Sequence, residues 1–138
     1  MTDGLFRFST TLEVRWRDLD PMGHVNNAVY FTYLEQTRVH YLRELGLVPS
    51  DPTGIGFILA EASCQFKSPL GLGEGVTIYI RVSELRNSSF VFEYRMEADG
   101  RLVATARSVQ VCYDYQVQRP TPMPDQWREA ITAYEPGL

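Results

Sequence analysis

Cysteine and histidine are nearly absent from this 138-residue chain, with two of each. So small a number excludes a disulfide-stapled scaffold, and no Cys/His spacing suits a structural metal. Cys64 and Cys112 both fall in apolar alternating segments, where a thiol behaves as a small hydrophobe. They are expected as buried thiols, and neither has the electropositive surroundings of a reactive one. Long apolar runs are missing too. None approaches the roughly 18 residues that cross a bilayer, so no membrane partner is expected. Positive charge is in short supply, with 13 Lys and Arg against 17 Asp and Glu and a net charge of −4. Without a basic stripe, a nucleic-acid partner is not expected either. The first residues carry early acids and no apolar block ahead of a small-residue cleavage site, which does not read as a secretory signal and leads to the expectation of a cytoplasmic protein. The glycine-rich stretch "GLGEG", residues 71–75, lacks the Lys-Ser/Thr of a phosphate-binding loop and sits between strand-like segments.

What the chain does have is a balanced composition, 44% apolar and 22% charged, in a length that suits one domain, residues 1–138. The segment 8–16 is rich in β-branched and aromatic residues and reads as a strand. From 27 to 45 the period lengthens. Tyr30, Leu34, Thr37, Tyr41 and Leu45 fall on one helical line, flanked by Phe31, Leu42 and Tyr33, with Thr32, Gln36 and Arg43 opposite. That apolar face covers about half the circumference, wider than the roughly 100° of a helix resting on one surface. Gly46 is the expected C-cap, and Pro49 and Pro52 prevent the helix from continuing.

Period two follows. Ile58, Ala60, Ala62, Cys64 and Phe66 alternate with Leu59, Glu61, Ser63, Gln65 and Lys67; Val76, Ile78, Ile80 and Val82 alternate with Thr77, Tyr79, Arg81 and Ser83; and Phe90, Phe92, Tyr94 and Met96 form the apolar face of the next segment. Asp99-Gly100 predicts a type I′ hairpin turn, which needs positive φ at both central residues. The strand after it, about 101–115, is long enough to invite a bend or bulge. A proline-rich extended segment and a short helix, about 126–134, complete the chain. Short connections between successive strands favour antiparallel pairing, so the expected class is α+β.

Against this regular background the segment "RDLDPMGHVNN", residues 17–27, packs two acids, a histidine, a glycine and two asparagines into eleven positions between a strand and a helix. Asn26 and Asn27 stand where an N-cap is needed. The same helix end offers unpaired N–H groups and a positive dipole end that could hold an oxyanion. Asp18 and Asp20 share a face on extended backbone, while a turn starting at Pro21 would separate them and leave one to structure and the other to chemistry. For Asp20 an Asp-Pro turn competes with a carboxylate able to attack a carbonyl or deprotonate water. Gly23 permits a turn or a close ligand approach. His24 reads as a hydrogen-bonded orienting group beside the helix start.

Two segments carry a resemblance. "RWRDLDPMGHVNNAVYFTYLEQTR", residues 15–38, and "AEASCQFKSPLGLGEGVTIYIRV", residues 60–82, resemble the two signature blocks of the 4-hydroxybenzoyl-CoA thioesterase family of hotdog-fold acyl-CoA thioesterases, and the likeness extends over roughly residues 11–115. It implies a five-stranded antiparallel sheet wrapped around one long central helix. It also implies an acyl-CoA substrate and a homodimer, often assembled further to a tetramer, with sites at the subunit interface and no cofactor or metal. By position, Asp20 matches the family's catalytic carboxylate, as nucleophile or general base, and the backbone N–H of Asn27 matches the donor that polarises the thioester carbonyl. Gly23, His24, Asn26, Tyr30 and Glu61 become the expected substrate contacts. Glu35 on the helix is expected to pair with a nearby arginine. The Gly-His-Val-Asn-Asn form at 23–27 departs from the aromatic residues of aromatic-acyl members, which leaves fatty and other acyl groups open. A hotdog-fold hydratase or dehydratase, or a non-catalytic acyl-CoA binding module, is the alternative.

Overall fold

The computed structural model describes residues 4–47 and 54–138, so Pro49 and Pro52 lie outside the described residues. The elements run β1 (Phe8–Glu13), a single 3-10 turn (Trp16–Asp18), α1 (Asn27–Glu44), β2 (Ile55–Phe66), β3 (Gly75–Leu85), β4 (Ser89–Ala98), β5 (Arg101–Asp114), β6 (Arg119–Pro120) and α2 (Asp125–Tyr134). The strands form one antiparallel sheet in the order β1-β3-β4-β5-β2, and β6 adds to β5. This is the expected α+β class. The inventory differs from the resemblance in one strand and one helix: six strands stand in place of five, because two residues of the proline-rich segment find partners at Tyr113 and Asp114, and α2 is the short helix that the residue pattern placed at about 126–134.

The hairpin at Asp99-Gly100 has φ of 52° and 74° at its two central residues, as a type I′ turn demands. Bulges appear where period two slips. Glu97 pairs with Leu102 while Met96 pairs with Ala104, which leaves Val103 as the extra residue in β5. In β2, Leu59 pairs with Gln110 and Glu61 with Val109, so Ala60 is extra. That bulge corrects the unbroken alternation expected for β2: Leu59 shares a face with Ala62, Cys64 and Phe66, and Ile58 does not. A bulge inserts one unpaired residue and reverses which side follows.

Helix α1 crosses one face of this sheet obliquely. Near its start, Tyr30 meets Phe66 of β2 edge-on, ring centroids 4.9 Å apart, and eleven residues later Tyr41 meets Phe8 of β1 at 5.7 Å and Phe92 of β4 at 5.2 Å. At 1.5 Å per residue that advance is about 16 Å, close to the roughly 19 Å spanned by five strands. One helix therefore serves both sheet edges, which is why its apolar face had to be broad. Two residues depart from the expected pattern. Phe31 is 37% exposed, whereas Arg38 is 6% exposed because its Nη1 donates to the Tyr94 hydroxyl at 3.1 Å. Past the end of α1, Gly46 has φ of 75° and its N–H donates to the Arg43 carbonyl at 3.0 Å, the C-terminal role expected of it.

α2 closes the end of the same layer. Trp127 lies over Phe57 and Phe90, and Tyr134 packs edge-on against Tyr41. Just beyond α2 the buried Glu135 accepts the Tyr41 hydroxyl at 2.7 Å and the Val82 N–H at 3.0 Å. Val82 lies beyond the stretch of β3 that β1 pairs, so the carboxylate finishes an edge that β1 leaves open. Replacing Tyr41 by Phe keeps the ring contacts and removes one hydrogen bond to a buried charge. The expected result is a loss of about 1.5–3 kcal/mol in unfolding free energy, with an unchanged urea m-value.

Candidate active site

β1 ends at Glu13, three residues sooner than expected, because Asp18 recaptures the chain. Its carboxylate accepts the Arg15 N–H at 3.0 Å, the Arg15 guanidinium at 2.9 and 3.3 Å and the Tyr33 hydroxyl at 2.7 Å. Asp18 is buried. Burial by itself would raise its pKa, but these donors outweigh it and hold the carboxyl below its ordinary range. The same environment raises the Tyr33 hydroxyl well above the usual tyrosine value, burial being the larger cause and the Asp18 hydrogen bond the next.

The chain then makes a tight loop closed by an isolated antiparallel bridge between Leu19 and Val25. Inside it, the Asp20 N–H donates to the His24 carbonyl at 2.8 Å and the Gly23 N–H to the Asp20 carbonyl at 2.9 Å. Asp20 Oδ1 accepts the Met22 N–H at 2.9 Å and, more weakly, the His24 N–H at 3.5 Å. Asp20 Oδ2 has no hydrogen bond among the described residues. The Asp-Pro turn is therefore present, and it uses one carboxylate oxygen only. Gly23 has φ of 81° with open space where a Cβ would stand, so glycine is needed for its backbone conformation and not for clearance. His24 clamps Asp20 through its main chain. Its imidazole makes no hydrogen bond among the described residues, contrary to the expected orienting role.

Asn26 is the N-cap of α1, its Oδ1 accepting the Ala28 N–H at 2.9 Å, while its own N–H donates to the Asp18 carbonyl at 3.0 Å. Asn27 is the first helical residue. No carbonyl lies four positions back within the helix, and its N–H finds no acceptor among the described residues.

Asp20, His24, Asn27 and Tyr30 line one cleft of about 400 Å3, together with Met22, Val25, Phe66, Lys67, Ser68 and Pro69. Gly23 and Asn26 flank it in the same loop. Glu61 does not line it; that side chain pairs with Arg107 at 3.0 Å. The Lys67–Pro69 wall went unnoticed in the sequence, where its only signal is a cation and a hydroxyl interposed between a strand end and a proline. The wall is held from behind. Arg101 donates to the Pro69 carbonyl at 2.7 Å and to both Glu74 oxygens at 2.8 Å, Glu74 accepts the Gly71 N–H at 2.8 Å, and the Leu70 carbonyl receives the Val25 N–H at 2.9 Å. The Arg101 guanidinium, with the Gly71 N–H, pulls the Glu74 carboxyl down to about 2. Among the described residues no cluster of His, Cys, Asp or Glu is grouped to hold a metal ion, and no helix is long and apolar enough to cross a membrane.

A family model described as the thioesterase-like superfamily matches residues 14–131. The chain belongs to that superfamily. A member in Escherichia coli strain K12, the long-chain acyl-CoA thioesterase FadM, is 28% identical over 130 residues, covering 88% of this chain and 95% of its own. Among solved structures, a gentisyl-coenzyme A thioesterase (BH1999) superposes with a TM-score of 0.83 at 30% identity, over 90% of this chain and 99% of that one. A thioesterase-superfamily protein from Jannaschia sp. CCS1 reaches a TM-score of 0.89 at 25% identity, over 98% of this chain and 87% of that one. The superfamily match spans the strand-to-helix loop, the cleft wall and most of the sheet.

The two depressed carboxyls give this superfamily member an acid-labile site frame. Each is more acidic folded than unfolded, so its stabilisation is complete above the ordinary carboxylate range and is lost as pH falls through the folded value. For Glu74 that window runs from about 4.5 down to about 2. Unfolding free energy measured in urea should fall steeply across it, and Glu74→Gln should flatten the fall.

Proposed function

We propose that this chain hydrolyses an acyl-CoA thioester to a free acid and coenzyme A, with Asp20 supplying the attack and the Asn27 N–H receiving the carbonyl oxygen. One observation carries the reading: the carboxylate with an oxygen to spare and the helix-end N–H without an acceptor line the same cleft. As the carbonyl carbon becomes tetrahedral, its oxygen gains negative charge, and a donor fixed at a helix N-terminus stabilises that charge without reorganising. Met22, Tyr30 and Phe66 offer the acyl group an apolar lining, and Lys67 adds a cation to the same wall.

Two routes use the same carboxylate. As a base, Asp20 takes a proton from water while the water oxygen bonds to the carbonyl carbon; the C–S bond then breaks and the thiolate leaves with that proton. As a nucleophile, Asp20 displaces the thiolate directly to form a mixed anhydride, which water then hydrolyses. The named relatives act on long-chain and gentisyl thioesters, so membership of the superfamily does not select the acyl class. We place the activity in a cytoplasmic homodimer, with a tetramer as the larger assembly, needing no cofactor. The dimer is supported by β2, an edge strand on which Leu59 and Phe66, both on the helix-side face, are 47% and 43% exposed, the kind of apolar edge that natural monomers cover or blunt.

Thiol release from short, long and aromatic acyl-CoAs tests the activity. Hydration of an enoyl-CoA without thiol release would replace it with a hydratase. Asp20→Asn should lower kcat by about 10²-fold or more with an unchanged fold; parental turnover would overturn its role. Asn27→Pro is the sharper probe. Proline suits the first helical position, and Asn26, at φ −63° and ψ 140°, already has the backbone that precedes proline. Only the N–H is deleted from the main chain. The expected kcat loss is about 10²- to 10³-fold, with stability retained, whereas Asn27→Ala, which keeps the N–H, should stay near the parental rate.

A further inference from the structure

The flank of α1 beside β2 carries two charges that do not meet. Arg38 is almost wholly buried, yet no ion pair joins it to an acid among the described residues; its Nη1 donates to the neutral Tyr94 hydroxyl, itself 2.6 Å from Ser108 Oγ. Glu35, one turn earlier on the same face, is exposed and likewise without an ion pair among the described residues. An acid and a base at this spacing ordinarily pair across the turn. Here Arg38 is drawn inward to β4 and cannot. The two line a hollow of about 240 Å3 whose remaining walls are Phe31, Thr32 and Leu59. A guanidinium taken this far out of water without an anion is costly, and the hollow has room for a carboxylate side chain.

We infer that the hollow takes Glu35 of a second copy of this chain, so that two α1 helices meet antiparallel about a two-fold axis and each Glu35 pairs with the Arg38 of the other copy. Two-fold contacts are self-complementary: if residue i meets j, then j meets i. Glu35 and Arg38 satisfy this by straddling the middle of an 18-residue helix, which puts each opposite the other in an antiparallel pair. Apolar surface surrounds them, with Phe31 and Val39 both 37% exposed on the helix and Leu59 47% exposed on β2. The inference rests on the homodimer of the proposed function and adds to it the charge pair that fixes its register. Salt bridges within apolar surroundings set orientation more than they add affinity.

Sedimentation of wild type, Glu35→Lys and Arg38→Glu, alone and mixed, tests it. Each variant alone sets like charges opposite one another twice, and its dimer dissociation constant should rise at least tenfold. An equimolar mixture should form heterodimers, because the lysine introduced at position 35 then faces the glutamate introduced at position 38, while the other contact keeps the native Glu35 and Arg38. Variants that stay dimeric alone, or a mixture that does not recover, would overturn the pairing. If Arg38→Glu does not fold by circular dichroism, Glu35→Gln decides alone: an unchanged dissociation constant and an unchanged salt dependence overturn the inference. A monomeric wild type would instead remove the homodimer, and a dimer that is insensitive to all three variants would remove only the pair; thiol release reports on the activity separately from both.

Discussion

The candidate site is organised around one buried carboxylate whose two oxygens are both committed to holding structure. Asp18 receives donors from Arg15 on the strand side and Tyr33 on the helix side, and its own carbonyl receives the Asn26 N–H. Three separate elements are thereby fixed to one residue: the end of β1, the first turns of α1 and the loop between them. Burying an ionised carboxyl is expensive unless each oxygen is satisfied, and here both are. That satisfaction makes the loop geometry unique, since any rearrangement of Arg15, Tyr33 or Asn26 would leave a polar group unpaired in a dry place.

Two residues further on, the same side-chain type meets a different fate. Asp20 commits one oxygen to the turn that Pro21 starts and Gly23 completes, and keeps the other. Division of labour between neighbouring carboxylates follows from their surroundings, not their identity. The cleft depends on a second frame as well. Arg101 and Glu74, distant in sequence from the loop, hold the Pro69–Gly71 turn that forms its far wall and receives the Val25 N–H. A cleft assembled from two loops is thus clamped behind both of them by charge-assisted hydrogen bonds, the stronger kind available to a protein.

The apolar layer sets the remaining distances. Tyr30 and Tyr41 anchor α1 at opposite ends and on opposite edges of the sheet, so the helix start is delivered to the β2 end, where Phe66 and Lys67 lie. Two polar groups are satisfied within that layer: Arg38 by Tyr94, which also meets Ser108, and Glu135 by Tyr41 and by the Val82 N–H that β1 leaves unpaired.

Local pattern by itself determined the elements, because helix and strand periods, cap residues and turn glycines act over a few positions: the α1 span, the Asp99-Gly100 hairpin, the Asn26 cap and the expectation that Asp18 and Asp20 would part company were all legible. The tertiary structure decided what depends on partners far along the chain. The bulge at Ala60 moved Leu59 to the helix-side face because β5 sets the register. Glu61 went to Arg107 and away from the cleft, Arg38 was pulled inside by a tyrosine 56 residues away, and Glu35 has no arginine partner among the described residues. His24 bonds Asp20 through its main chain. Short-range order is written in neighbouring residues, but the fate of a charge depends on which strand folding brings beside it, and no local pattern encodes that.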